Sequence, residues 1–507
     1  MLYNGIELPP VWPPRGNSLP DHSVLPPYLT RPPAVIPIDI GRQLFVDDFL
    51  IEQTTLKRTL HTAQYHSASP VLKPDQPWEQ AGGPTAMVFS DGVWYDPRDR
   101  LFKLWYMGGY ARSGSTCYAT SRDGIHWEKP ALDVRPGTNI VHSSPRDSTT
   151  VWLDLEEQDP QRRYKLFLYD FAEQLSICFS ADGMHWGKEV ARTGPTGDRA
   201  TIFYNSFRGV WVYGLRGYTP EAGRIRLYRE HRDVLAGAKW KEGEPVLWVG
   251  ADHLDPRRTD LDTRCELYNL DVVAYESLLL GLFTIWRGQP IDRPKPNDIC
   301  VGFSRDGFHW HRPDRQAFIA VSERLGDWNW GNIQSAGGCC LVVGDNLYFY
   351  VSGRAGIPSS AESGVSSTGL AMLRRDGFAS MDAGKAEGML TTRPVQFSGK
   401  YLFINLDADE GELRAEVLDR DGKVIPPFTY ANCIPLRGDK TLLRAQWNGT
   451  EDLSKLARRP VKLRFHLRRG SLYAFWVSME SSGASHSFVA AGGPGFTGPT
   501  DIVGVAK

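Results

Sequence analysis

Three acidic residues stand just ahead of apolar, β-rich runs. Asp147, Asp198 and Glu266 each precede such a run by a few residues, and the first two have an arginine next to them in the chain. Neighbouring carboxyl groups can divide acid–base work, because like charges raise the pKa of one while an adjacent arginine keeps another ionised. The three residues therefore predict an acid–base site, provided that the fold brings the three β-rich runs close together in space.

A repeated turn motif predicts the fold that brings these acidic residues together. SRDGIHW occupies 121–127, SADGMHW 180–186 and SRDGFHW 304–310, with a degenerate copy at His231–Asp233 and a weak one, RRDGFAS, at 374–380. Repeats of this length, each with several β-rich runs, are typical of a β-propeller, here with five blades. Several copies of one loop cannot all be a single active site. We expect a tight Asp-Gly turn and a tryptophan that packs between blades.

The composition fits this fold and excludes several function classes. The 507 residues carry 58 Lys+Arg against 59 Asp+Glu, and they include 50 Gly, 35 Pro and 11% aromatic residues. A net charge of −1 argues against a nucleic-acid or membrane-surface partner. No apolar run approaches the roughly 18 residues of a membrane helix, and no signal peptide begins the chain. We expect a cytoplasmic protein, or a secreted one whose signal peptide was removed.

The expected fold class is all-β, a five-bladed β-propeller followed by a C-terminal β-sandwich. The predicted regions are a Pro-rich arm at 1–40, the propeller at 41–385, the sandwich at 386–482 and a Gly-rich tail at 483–507. The segment LFVDDFLIE at 44–52 is a candidate for the strand that closes the ring. A tail docked on a neighbouring copy would make a homo-oligomer.

The repeats and SPVLKPDQPWE, which ends at Glu79, resemble the five-bladed propeller glycoside hydrolases, the clan of invertases, levanases and arabinanases. The resemblance implies a site at the axis, built from a nucleophile or base, a stabilising carboxylate and a glutamic acid as general acid. It implies Glu266 as the acid and Asp198 as the stabiliser. The nucleophile or base stays open between Asp147, ranked first, then Asp48 and Glu79.

The implied function is hydrolysis of a furanoside or related oligosaccharide, with exo-action expected from long loops. A glycoside phosphorylase and a non-catalytic glycan-binding propeller are the alternatives. No cofactor is expected; a central Ca²⁺ occurs in some members of the clan, but no ligands for it are indicated in the sequence. Sugar hydroxyls and ring faces need donors, acceptors and aromatic rings. The residues expected to supply them are Arg199, Arg264, Tyr268, Trp330, Asn332, Gln334 and Trp78.

Overall fold

The structure, a computed structural model, describes residues 1–16, 18–20 and 23–505 and is built almost entirely from β-strands. Helical structure in this part of the chain is confined to single turns. Two are α-helical, at Pro27–Thr30 and Val234–Gly237. Four are 3₁₀ turns, at Pro77–Gln80, Ala111–Ser113, Pro160–Arg162 and Ser454–Leu456. None of the described helices is long and apolar enough to span a membrane.

The first three blades are four-stranded antiparallel sheets in which sequence order is spatial order. Blade one consists of Ala86–Asp96, Leu101–Gly108, Ser115–Ser121 and Ile140–His142. Blade two consists of Thr149–Leu153, Tyr164–Tyr169, Leu175–Ser180 and Ala191–Arg192. Blade three consists of Thr201–Asn205, Val210–Thr219, Gly223–His231 and Val246–Gly250.

The last two blades borrow strands from the two ends of the chain. Blade four consists of Glu266–Glu276, Leu278–Trp286 and Asp298–Ser304, with Phe488–Val489 on the far side of its inner strand. Blade five consists of Asn332–Ser335, Leu341–Val343, Asn346–Arg354 and Ser366–Arg374, and Gln64–Tyr65 is its outermost strand.

The five inner strands form a closed ring, because each contacts the inner strands of the two neighbouring blades. The five-bladed propeller and the all-β class are thus confirmed. The closing strand is a correction. It is Gln64–Tyr65, which pairs with Met372 and Ala371, and not the segment at 44–52. A single large apolar core runs through all five blades.

The repeated turns bind neighbouring blades together. In blade four, Asp306 Oδ1 accepts hydrogen bonds from the backbone N–H groups of Phe308 and His309, both at 2.9 Å, and its Oδ2 lies 2.7 Å from the His309 ring. Trp248 of blade three donates its indole N–H to the Phe308 carbonyl at 2.8 Å. These contacts are structural, as expected for the repeat. The same carboxylate contacts occur at Asp123 and Asp182.

The C-terminal region is one nine-stranded antiparallel sheet with a core of its own. Its longest strand, Tyr401–Leu418, pairs with three others. The predicted sandwich geometry stays a prediction, but the predicted boundaries change: strands from 43–60 and 379–383, assigned to the propeller from sequence, belong to this sheet. The strands are Gln43–Leu44, Ile51–Thr54, Lys57–Leu60, Ala379–Ala383, Gly388–Thr392, Tyr401–Leu418, Leu436–Arg444, Lys462–Arg468 and Gly470–Ser478.

The N-terminal arm lies on the propeller and on the C-terminal region. The hydroxyl of Tyr3 donates to the carbonyl of Ser277 at 2.7 Å, and the amide of Asn4 donates to the carbonyl of Arg305 at 2.8 Å. Further along the arm, Ile36–Pro37 forms a parallel pair with Val395–Gln396. The arm therefore spans both units.

The C-terminal tail closes one end of the ring, which we call the base: the end at which the inner strands finish. Ala490 N donates to the Ala274 carbonyl of blade four at 3.0 Å, and Tyr95 N of blade one donates to the Ala491 carbonyl at 2.9 Å. Ala491 N in turn donates to Cys340 of blade five at 3.0 Å. The tail thus docks on its own chain, and not on a neighbour as the sequence suggested. A homo-oligomer stays a prediction without this support.

Candidate active site

The starts of the inner strands meet at the opposite end of the ring, which we call the open face. Asp147 precedes the inner strand of blade two, and its backbone N–H donates to the carbonyl of Tyr169 at 3.0 Å. The backbone N–H of Arg199, ahead of the inner strand of blade three, donates to Ser148 Oγ at 2.8 Å. Arg226 links blades three and four by donating to the carbonyls of Arg199 (3.0 Å) and Tyr268. We call this group of residues the axial site.

Asp147 is a half-buried residue whose carboxyl group has spare hydrogen-bonding capacity. Its Oδ1 atom is buried and has no hydrogen-bond partner among the described residues. Burial, and after it the negative charge of Asp198, raises the pKa of Asp147; the positive charges of Arg199, Arg146 and Arg354 oppose this rise without cancelling it. A carboxyl group in such surroundings holds its proton at a higher pH than an ordinary aspartic acid and can give it to a substrate.

Asp198 and Glu266 differ from Asp147 in that each carboxylate is bound by an arginine of the hairpin 210–231. Arg216 forms an ion pair with Asp198. Arg224 contacts Glu266 at 2.5 Å through its side chain and at 3.2 Å through its backbone N–H. Both contacts are to Glu266 Oε2, so this oxygen is already occupied, whereas Asp147 has an oxygen without a partner among the described residues.

Arg199 is the least satisfied group of the site. Its side chain is only 2% exposed, yet none of its three guanidinium nitrogens has a hydrogen-bond partner in the described chain. The guanidinium lies over the ring of Phe89, 4.1 Å from the centroid. The backbone of Arg199 has a φ of 58°, a left-handed conformation that is costly for a residue with a Cβ and that clusters at functional sites.

The predicted binding residues of blades four and five lie at the axial site. The Tyr268 hydroxyl accepts a hydrogen bond from Lys295 Nζ at 3.1 Å. Asn332 donates to the Lys295 carbonyl at 2.6 Å, and Gln334 donates to Asn332 Oδ1 at 2.8 Å. Gln334 Oε1 is buried without a partner in the part of the chain that the structure describes. It can accept a hydrogen bond from a ligand.

The other predicted binding residues lie outside the centre of the axial site. Trp330 stacks under the guanidinium of Arg293, which is 4.9 Å from its ring, and this arginine also donates to the Trp330 carbonyl. Arg264 is exposed, two residues ahead of Glu266. Trp78 donates its indole N–H to Asn139 Oδ1 at 3.0 Å within blade one, which is a structural contact.

Two candidates for the nucleophile or base are excluded by their positions. Glu79 is completely buried, and it accepts hydrogen bonds from Tyr106 Oη at 2.6 Å, from Lys129 Nζ at 2.8 Å and from two backbone N–H groups. Its carboxylate is fully occupied in holding blade one together. Asp48 lies beside the C-terminal sheet, 73% exposed and 2.5 Å from Arg58, away from the axis.

Sequence reasoning missed several groups of the axial site. Asp271 lies on the inner strand of blade four and accepts hydrogen bonds from Ser335 Oγ at 2.6 Å and Asn269 Nδ2 at 2.7 Å. The signal for Asp271 in the sequence was an acidic residue inside the otherwise apolar run LDVVAY. Phe89 reaches the site because the register of blade one shifts between Met87 and Gly92, which sequence alone does not reveal. Arg226 and Arg354 were missed as well.

The described residues contain no group of three or more His, Cys, Asp or Glu side chains that could hold a metal ion. All seven cysteines are buried and unpaired.

No family model matches the sequence, and no curated protein matches it significantly. Solved structures similar to this chain include an N-acetylgalactosamine deacetylase from F. plautii in complex with blood group B trisaccharide. It is 13% identical with a TM-score of 0.40, and the match covers 67% of this chain and 97% of that one. Our assignment of the propeller rests on the strand pairing of the chain itself.

Two other similar structures are carbohydrate-active enzymes. The β-1,2-mannobiose phosphorylase of Listeria innocua is 11% identical with a TM-score of 0.41, over 62% of this chain and 96% of that one. The exo-β-1,3-galactanase of Phanerochaete chrysosporium is 12% identical with a TM-score of 0.34, over 80% of this chain and 99% of that one.

Proposed function

We propose that the protein is an enzyme that cleaves glycosidic bonds at the axial site, with Asp147 as the proton donor. The observation that supports this most directly is the Asp147 carboxyl, with a buried oxygen that has no partner among the described residues and a raised pKa, at the open face of the ring. Cleavage of a glycosidic bond needs a carboxyl group that is still protonated near neutral pH to protonate the leaving oxygen.

Asp198 is the proposed ionised partner of Asp147. Its negative charge adds to the raised pKa of Asp147, and its carboxylate forms an ion pair with Arg216. Glycosidases divide acid–base work between two carboxyl groups, one protonated and one ionised. Asp198 would act as base, nucleophile or charge stabiliser, and Glu266 with Arg224 would line the rim.

The proposed substrate is a furanoside or a related oligosaccharide, attacked from a chain end. Tyr268, Asn332 and Gln334 offer polar contacts to sugar hydroxyls, and the ring of Trp286 lies 5.1 Å from the guanidinium of Arg224 at the rim. The tail closes the base of the ring. Substrate therefore has to approach from the open face, which favours entry of a chain end.

Phosphorolysis in place of hydrolysis is the second candidate. The observation that favours it is the unpartnered guanidinium of Arg199, since arginine forms short, strong hydrogen bonds with phosphate oxygens. The two reactions share the proton donor and differ only in the group that takes up the sugar.

The test is a screen of aryl furanosides and pyranosides with and without inorganic phosphate, followed by variants assayed on the best substrate. Asp147→Asn should lower kcat by about 100-fold to 10,000-fold, the usual contribution of a general acid. Glu266→Gln should cost clearly less. Asp48→Asn, which removes an exposed carboxylate beside the C-terminal sheet, is the control and should have full activity. An Asp147→Asn enzyme as active as the control would refute the assignment.

A further inference from the structure

The guanidinium of Arg199 is a buried cation that nothing in the described chain neutralises by a direct hydrogen bond. The aspartates whose charges act on Arg199 form no hydrogen bond with its guanidinium: Asp271 accepts from Ser335 and Asn269, Asp198 is bound by Arg216, and Asp147 Oδ1 has no partner among the described residues. A buried charge without hydrogen bonds lowers the stability of the fold. A fold retains such a group when a ligand supplies the missing acceptors.

A second guanidinium converges on the same place. Arg354, from blade five, lies 5.8 Å from the centroid of the Phe89 ring, over which Arg199 lies at 4.1 Å. Arg354 is 7% exposed, and its buried Nε atom has no partner within the described residues. Two arginines from blades three and five thus flank one aromatic ring, each with donors left over.

The pKa of Tyr268 reports positive charge at the axial site. Burial alone would raise this pKa, but the charges of Lys295, Arg354 and Arg199 outweigh burial and lower it below its ordinary value. This shift has the sign that a positive electrostatic potential produces. At Arg226, burial first and the charge of Arg199 second lower the pKa to about 9.

We propose that the axial site contains an oxyanion subsite in which Arg199 and Arg354 bind either inorganic phosphate or the carboxylate of an acidic sugar. The inference deepens the proposed function, because it names the charge of the group bound beside Asp147. Guanidinium groups suit both anions, since their parallel N–H donors match two oxygens of a phosphate or a carboxylate. The strained backbone of Arg199 holds these donors in place before the ligand arrives.

The two sources differ in the chemistry that follows. With hydrogen phosphate, the glycosidic C1–O bond breaks and a C1–O–P bond forms. The leaving oxygen takes the proton of Asp147, and the proton released by the phosphate restores the Asp147 carboxyl. With an acidic sugar, the subsite only orients the substrate. The glycosidic C1–O bond breaks, the leaving oxygen takes the proton of Asp147, and the oxygen of a water molecule bonds to C1. One proton of that water restores the Asp147 carboxyl.

The test is calorimetric titration of the full chain with sodium phosphate and, separately, with sodium glucuronate in Tris-chloride buffer. At least one anion should bind. Arg199→Met and Arg354→Met should each weaken that binding at least about tenfold, because each removes charge-assisted hydrogen bonds. Arg258→Met is the matched control: it removes an arginine that pairs with Asp260 and Glu323 at the surface, and it should bind as the wild type does.

Phosphate binding that depends on Arg199 and Arg354 identifies phosphate as the source, and glucuronate binding with the same dependence identifies an acidic sugar. Absence of binding of both anions to the wild type, or equal binding by the wild type and Arg354→Met, would overturn the proposal. Arg354→Met leaves the strained Arg199 backbone untouched, so it remains informative if Arg199→Met folds poorly. Since binding is measured without turnover, the result is independent of whether Asp147→Asn inactivates the enzyme.

Discussion

Asp147 and Asp198 precede the inner strands of neighbouring blades, and the charge of Asp198 adds to the effect of burial in raising the pKa of Asp147. The first carboxyl has a buried oxygen without a partner among the described residues, whereas the second is held by Arg216. In the proposed mechanism this asymmetry assigns each acid a separate role, which can be tested by pH.

The pH dependence of turnover should follow the protonation of Asp147. A general acid works only while protonated, so kcat/KM falls as pH rises through its pKa. Asp198→Asn removes a negative charge and releases Arg216, and both changes lower the pKa of Asp147. We expect the descending limb of the profile to move to lower pH. NMR titration of ¹³C-labelled aspartate would show the same shift without turnover. A descending limb that stays at the same pH, or moves to higher pH, would contradict the electrostatic coupling between Asp147 and Asp198.

The Asp147 carboxyl group should also lower the stability of the folded protein at neutral pH. Its pKa is higher in the folded protein than in the unfolded chain, so its contribution is most favourable below the ordinary aspartate pKa and is lost as pH rises through the raised value. Asparagine cannot ionise, and Asp147→Asn should therefore raise Tm at pH 7 while turnover is lost. Thermal denaturation at pH 7 and at pH 4 measures this. The gain should shrink at pH 4; an equal gain at both pH values would assign it to another cause.

The repeated turns should matter for stability and not for turnover. Asp306 is 4% exposed and holds two backbone N–H groups, so Asp306→Ala should lower the free energy of unfolding by about 2–4 kcal/mol. Asp123→Ala removes the same contacts from a carboxylate that is half exposed. It should cost about half as much, because water replaces part of what is lost. Urea denaturation compares the two, and a larger loss at Asp123 would contradict the argument.

The tail should be essential to the ring. Val489 is completely buried where the tail meets the inner strand of blade four, whereas Val503 is 48% exposed. Val489→Asp places an unpaired charge in the core and should destabilise the protein by more than about 3 kcal/mol. Val503→Asp should stay within about 0.5 kcal/mol of the wild type. Chemical denaturation of the two variants tests this prediction, and equal stability would mean that the propeller does not need the tail for its stability.

The features that could be predicted from sequence are those built by contacts between residues close together in the chain. The Ser-x-Asp-Gly turn builds its hydrogen bonds within five residues, so the repeat reveals the blades and their order. The starts of the inner strands follow from it, and Asp147 and Asp198 fall two residues ahead of Thr149 and three ahead of Thr201, as the pattern required.

The features that sequence missed depend on residues far apart in the chain. Ile51 pairs with Thr392, which moved the segment at 43–60 out of the propeller. The roles of the acids depend on which arginine each meets, and Arg216 and Arg224 come from a hairpin whose reach no motif encodes. Glu79 shows the same limit: it precedes the inner strand of blade one, but its partners, Tyr106 and Lys129, make it structural.

The position of the strand Gln64–Tyr65 in the sequence affects how the chain folds during its synthesis. Its partner, Ala371, lies 306 residues later in the chain, so a nascent chain still on the ribosome carries an unpaired strand throughout the synthesis of four blades. Pairing over such a separation is slow, and unpaired strand edges invite association between chains. Translation that stops before residue 374 leaves an open ring with an exposed edge. Truncated products should therefore aggregate, although most of the blades have already been synthesised.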